Sequence, residues 1–155
     1  MATRSTIALE FADGTVQQVY CHWDGYLDYN GKILFESYQD PFKLRDLIDC
    51  GDLSSLGPNI GEQHEFDCPH KYGTPEYEAW SEAKQQICTF YARDRGETGC
   101  MAKRFKDFAD YVANHQYEEF EYILRKDGNW YVSKYNGPYA LLKDAIAQEA
   151  MKEAA

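Results

Sequence analysis

The sequence predicts an α+β fold, with a mainly antiparallel sheet made of two hairpins plus one further strand and covered by about four to five helices. Three observations predict it. Two stretches, one near each end of the chain, place alternating apolar residues on both sides of an Asp-Gly pair, the strongest short-range hairpin signal. Between and after them, apolar residues recur at three- and four-residue spacing beside helix-capping residues. No internal repeat, linker or low-complexity stretch divides the 155 residues, so 1–155 reads as one domain.

In the first hairpin Ile7, Leu9 and Phe11 alternate, Asp13-Gly14 marks a type I′ turn, and Val16 to Trp23 returns. With Asp13-Gly14 as a two-residue loop, Phe11 faces Val16, Leu9 faces Gln18, Ile7 faces Tyr20 and Ser5 faces His22. Arg4 and Thr6 then fall opposite Trp23 and Cys21, and a slip of one residue would undo every pair. A helix over about residues 29–38 buries Ile33, Leu34 and Tyr38. Asp40-Pro41 gives an N-cap and a first-turn proline to a second helix carrying Phe42, Leu44, Leu47 and Ile48, which stops at Gly51.

Residues 51–57 form a loop bounded by glycines, and 57–74, punctuated by Pro58, Gly61, Pro69 and Gly73, form a long irregular one. Thr74-Pro75-Glu76 starts a third helix with Tyr77, Trp80, Ala83 and Ile87 on one face. Ile87 to Ala92 is dense in β-formers and predicts a strand. Phe105, Phe108 and Val112 mark a helix from about Ala102 to Asn114. The second hairpin runs from Phe120 to Arg125, turns at Asp127-Gly128 and returns from Trp130 to Tyr135. A two-residue loop there sets Glu121 opposite Lys134, Leu124 opposite Tyr131, and Tyr122, Tyr131 and Tyr135 away from Trp130. After Gly137-Pro138 a last helix carries Leu141, Leu142, Ala145 and Ile146 and frays through an Ala/Glu/Lys tail.

A formal net charge of -10 excludes non-specific binding to nucleic acid or an anionic membrane and suits solubility or a basic protein partner. The five cysteines show no C-x-x-C spacing, residues 1–20 lack the pattern of a secretory leader, and no apolar run reaches membrane-spanning length. The expectation is a protein with reduced thiols in a cytoplasm, with no cofactor motif and no indicated oligomeric state. Tyrosine, at 13 residues, points either to a half-wet groove or to a sheet rich in aromatics.

Two strings crowd ionisable and aromatic groups beside a glycine: Tyr20-Cys21-His22-Trp23-Asp24-Gly25-Tyr26 and Cys88-Thr89-Phe90-Tyr91-Ala92-Arg93-Asp94-Arg95-Gly96-Glu97. The expected hairpin register gathers Arg4, Ser5, Thr6, His22 and Asp24 into one cluster, either a hydrogen-bonded structural group or a Ser-His pair oriented by a carboxylate. Arg93 and Arg95 present two guanidinium forks at a strand end, suited to a phosphate or carboxylate unless Asp94 and Glu97 neutralise them. Trp23, Tyr26 and Tyr91 complete the candidate ligand-binding set. A weaker candidate is a metal site at His64, Cys68 and His70, around Asp67, with Cys50 or Cys88 as a fourth ligand in a spacing that matches no familiar zinc module.

Four strings, Thr3-Arg4-Ser5-Thr6-Ile7-Ala8, Tyr20 to Tyr26, Gly51 to Gly57 and Cys88 to Glu97, taken in order over residues 3–135, resemble a family of small proteins encoded by tailed bacteriophages. The chain departs from that family at Ala92, where its members often carry glycine. The resemblance implies a phage product acting in the cytoplasm of an infected bacterial host and brings no catalytic residue with it.

Three functional readings follow. One is a phage accessory protein for counter-defence or host takeover, binding a host protein or a small anionic ligand such as a nucleotide signal through the residue 4–6, 22–26 and 91–97 segments. Another is a small phosphoesterase or nucleotide hydrolase using His22 as acid/base with Arg93 and Arg95 stabilising charge. The third is a structural or interaction module with no ligand.

Overall fold

Both Asp-Gly pairs turn a hairpin, and both do so one residue out of the expected register. In the computed structural model, which describes residues 2–154, β1 (Ser5–Glu10) and β2 (Val16–Cys21) set Ser5 opposite Cys21, Thr6 opposite Tyr20 and Ile7 opposite Val19. A type I′ turn needs positive φ at both central residues, yet only Gly14 has it, at 91°. Asp13 keeps negative φ because its carboxylate accepts hydrogen bonds from the Thr15 amide and hydroxyl. The loop therefore holds three residues, closed by Gly14 N–H to Phe11 O and Phe11 N–H to Thr15 O.

The second hairpin repeats the device. In β6 (Phe120–Leu124) and β7 (Trp130–Lys134), Phe120 lies opposite Lys134 and Leu124 opposite Trp130, with Gly128 at φ 86° and Asp127 accepting from the Asn129 amide. Tyr122 and Trp130 thus share the main core rather than opposite faces. Arg125 lies over Phe108 and holds Glu10 through two hydrogen bonds.

The sheet is larger than two hairpins plus one strand. Eight strands are joined in the order β4-β3-β2-β1-β6-β7-β8, with β5 beside β2. The glycine-bounded segment holds β3 (Leu53–Ser55), which runs parallel to β2. β4 is only Thr89–Phe90, because the chain turns at Tyr91 into the helix α4 (Tyr91–Arg95) where a strand was expected. The segment expected to be one helix from Ala102 splits into β5 (Lys103–Phe105), paired with β2, and α5 (Phe108–Asn114), which Asp107 caps. β8 (Ala140–Leu141) closes the other edge. Most pairings are antiparallel, but the central β1–β6 pair, like β2–β3, is parallel.

A π-helical turn at Leu27–Gly31 leads into α1 (Lys32–Ser37), shorter than expected. α2 (Pro41–Asp49) and α3 (Pro75–Gln85) begin where the Asp40-Pro41 and Thr74-Pro75 caps place them. The last helix, α6 (Leu142–Ala154), continues through the tail expected to fray, giving six α-helices among the described residues.

The odd residues of β1 and β2 and the even residues of β6 face one side of the sheet. There Ile7, Leu9, Val19, Cys21, Tyr122 and Leu124 build the main core with residues of α1, α2 and α6. The opposite face carries a smaller cluster of Ala8, Val16, Phe105, Tyr111 and Ile123 under α5. The rest of that second face is polar, and it positions the site. Part of the tyrosine excess is structural: the buried hydroxyls of Tyr38 and Tyr122 donate to Gly57 O and Gly25 O, each tying a loop to the core.

Candidate functional site

A row of polar side chains crosses the second face. Ser133, Glu121, Thr6 and Tyr20 lie side by side in strand register, and the row continues through Asp52, whose carboxylate accepts from the Tyr20 amide, to Tyr91, whose amide donates to Asp52 O. His22 sits two residues above Tyr20 on the same face, beside Ser54 of the parallel neighbour.

The Tyr20 hydroxyl makes a 2.7 Å hydrogen bond with His22 Nδ1. Burial pushes the Tyr20 pKa up to about 12, so this hydroxyl stays protonated. The exposed indole of Trp23 meets the His22 ring edge-on at 4.7 Å. Arg4, exposed at the start of β1, lies close enough to favour the Tyr20 phenolate against that burial.

Tyr91 joins this patch to the second string. Burial raises its pKa, and its ring carries the Arg95 guanidinium at 5.0 Å. Arg95 also lies over Phe66 at 4.3 Å, while Lys84 lies over both Phe66 and Trp80. Trp80, Lys84, Phe66, Arg95 and Tyr91 thus form a ladder of alternating rings and cations between α3, the 57–74 loop and α4. Burial lowers the Lys84 pKa, and its ammonium donates to Phe66 O. Arg95 pairs with Glu97 at 2.7 Å, both side chains nearly half exposed.

The two arginines have different employment. Arg93 spends its fork on Ile60 O, Gly61 O, Cys88 O and both carboxylate oxygens of Asp94. Asp94, buried, also accepts from the Phe90 and His64 amides; burial works to raise its pKa, and the Arg93 and amide hydrogen bonds outweigh that and lower it. Arg93 and Asp94 are therefore a brace holding the long loop against β4, not a ligand fork.

The expected Arg4-Ser5-Thr6-His22-Asp24 cluster does not assemble. The register slip puts Ser5 on the main-core face, fully buried, where its hydroxyl meets the Asn30 amide, while Thr6 and His22 face the other side. Asp24 adopts φ 58° in a turn pinned by Asn30 N–H to its carbonyl. Gly25 is required there, since an added Cβ would lie 2.7 Å from Ser5 Cβ. Tyr26 lines a separate hollow with Phe120 and Tyr135, its ring tilted against Tyr29 at 6.3 Å.

No group of three or more His, Cys, Asp or Glu that could hold a metal is present among the described residues, so His64, Cys68 and His70 do not converge. His64 Nε2 instead lies 3.0 Å from Thr89 Oγ1, with Nδ1 3.0 Å from Glu62 O and 3.6 Å from Asp94. This Thr-His-Asp order imitates a catalytic triad, but Thr89 is 0% exposed and cannot meet a substrate.

Tyr20, Ser54, Phe66, Trp80 and Lys84 were not marked as site residues in the sequence. Tyr20 stood in the first string of aromatic and ionisable residues, and Phe66, an aromatic between two acids in an irregular loop, carried a local signal of its own. No protein-family model, curated protein or solved structure matches the chain.

Proposed function

We propose that the protein works by binding, through the patch where Tyr20, His22 and Trp23 meet Tyr91, Arg95 and Glu97. One observation carries this reading. The Arg95 guanidinium is exposed and stacked between Phe66 and Tyr91, and its ion pair is with an equally exposed carboxylate that solvent screens. A ring-stacked cation, in a patch that also carries an imidazole and an exposed indole, suits a planar anion or the acidic edge of a protein. In the setting that the phage resemblance implies, the ligand is a host protein or a small anionic molecule such as a nucleotide signal, met in the infected bacterial cytoplasm for counter-defence or host takeover.

The phosphoesterase reading has less support. It assigns charge stabilisation to both arginines, yet Arg93 is filled by backbone carbonyls and Asp94. A purely structural role accounts for Arg93 and leaves the exposure of Arg95 and Trp23 without a purpose.

The test is a pull-down from infected-cell lysate alongside a thermal-shift panel of nucleotides, with wild type and a Trp23→Ala/Arg95→Ala variant as baits. Capture or stabilisation by the wild type, lost in a variant that still folds, supports binding at this patch. Neither partner nor ligand, or equal capture by the variant, removes the proposal.

A further inference from the structure

Because β1 and β6 run parallel, the two hairpin loops lie side by side at the end of the sheet away from His22. Between them and the start of α2 is a cleft of about 280 Å3. Leu9 and Leu124 lie on the main-core face of their strands, Phe11 and Phe42 add aromatic walls, and Arg45 and Lys126 stand at the rim. The size falls just under the roughly 300–1,000 Å3 of most ligand pockets, which suits one side chain rather than an extended cofactor.

Phe42 is the unexplained residue. α2 buries Leu44, Leu47 and Ile48 on one stripe, and Phe42 falls off it, 66% exposed. The helix start needs no aromatic here, since Asp40 and Pro41 already provide the cap. A large apolar ring held in water beside an apolar cleft is the pattern of a contact surface.

The charge on the lining is the reverse of the molecule's. It carries Arg45, Arg125 and Lys126 against a single carboxylate, Glu10, giving +2 on a chain of net charge -10. Glu10 is consumed by Arg125, at 3.0 and 3.3 Å, and by the Lys126 amide. Arg45 lies over the Phe42 ring, with its Asp46 partner 3.6 Å away and well exposed, and Lys126 forms no ion pair among the described residues.

We infer that this cleft docks a segment of a partner protein in which one aromatic or branched apolar side chain sits directly beside acidic residues. The apolar side chain fills the space over Leu9 and Leu124 against Phe42, and the acids meet Arg45 and Lys126. The site is separate from the Tyr20–Arg95 patch, and its test does not depend on that patch.

The probe is an acetylated five-residue peptide with one phenylalanine followed by two glutamates, compared with a counterpart carrying two lysines, titrated into the 15N-labelled protein. Saturable amide shifts clustered at Phe11, Phe42 and Lys126 with the acidic peptide, at least tenfold weaker with the basic one, are expected. Arg45→Glu/Lys126→Glu reverses that preference and Phe42→Ser weakens both, while far-UV circular dichroism stays unchanged because all three side chains lie at the surface. Equal binding of the two peptides, shifts confined to another face, or no saturation would overturn the inference. So would concentration-dependent shifts without peptide, which identify a second copy of the chain as the occupant.

Discussion

The Glu121 carboxylate, on a central strand, meets His115 Nε2 in a pocket where the two side chains are 1% and 3% exposed. The imidazole is stacked on Tyr111, edge-on to Tyr117, and Tyr139 stands close to the carboxylate. Its Nδ1 is 2.6 Å from Tyr111 O, so the ring is held at both nitrogens. Removing one partner of a buried ion pair leaves the other uncompensated, and Glu121→Gln is expected to cost about 3 kcal/mol in urea unfolding.

That pair also makes stability depend on pH. Burial disfavours the imidazolium, but the Glu121 carboxylate outweighs it, and the His115 pKa is raised. Its contribution is complete below the unfolded value of about 6.5 and is lost as pH rises through the raised folded value. The melting-temperature gap between wild type and His115→Gln therefore narrows as pH rises above about 6.5; a constant gap contradicts it.

Arg93 and Arg95 are two residues apart and predict opposite outcomes. Arg93→Ala opens the brace to Ile60, Gly61 and Cys88 and strands Asp94, costing about 3 kcal/mol by chemical denaturation. Arg93→Lys restores little of it, because one ammonium cannot reach those acceptors together. Arg95→Ala costs less than ~1 kcal/mol and registers in binding instead.

Gly57 is closed in by backbone. A Cβ there would lie 2.6 Å from the Ile87 carbonyl carbon and oxygen and 2.7 Å from its nitrogen, atoms that no rotamer change can move. Gly57→Ala is expected to destabilise by about 2 kcal/mol, seen as a lower urea midpoint with an unchanged slope.

The thiols divide by burial. Cys21 and Cys88 are sealed, and burial pushes the Cys21 pKa up to about 12 and raises that of Cys88 as well. At about pH 8 a thiol reagent such as Ellman's should modify Cys50, Cys68 and Cys100 in the native protein and reach five groups only after unfolding. Five fast groups in the native state would contradict the fold around Tyr38 and Asn30, which contact the two buried sulfurs.

Features set by neighbours along the chain were legible in the residue order alone. The α+β class, the starts of α2 and α3 and the existence of both hairpins follow from Asp40-Pro41, Thr74-Pro75 and two Asp-Gly pairs, whose preferences act over a few residues. Tertiary structure decided the rest. An Asp-Gly pair fits a two- or a three-residue loop, and the longer one wins here because it aligns Ile7 and Leu9 with Val19 and Cys21 on one buried face. The same slip separated Ser5 from His22. β3, β5 and β8, of two or three residues each, exist only because β2 and β7 offer them unpaired edges. Whether Arg93 or Arg95 faces solvent was likewise settled by carbonyls more than thirty residues away at Ile60 and Gly61, which no local spacing encodes.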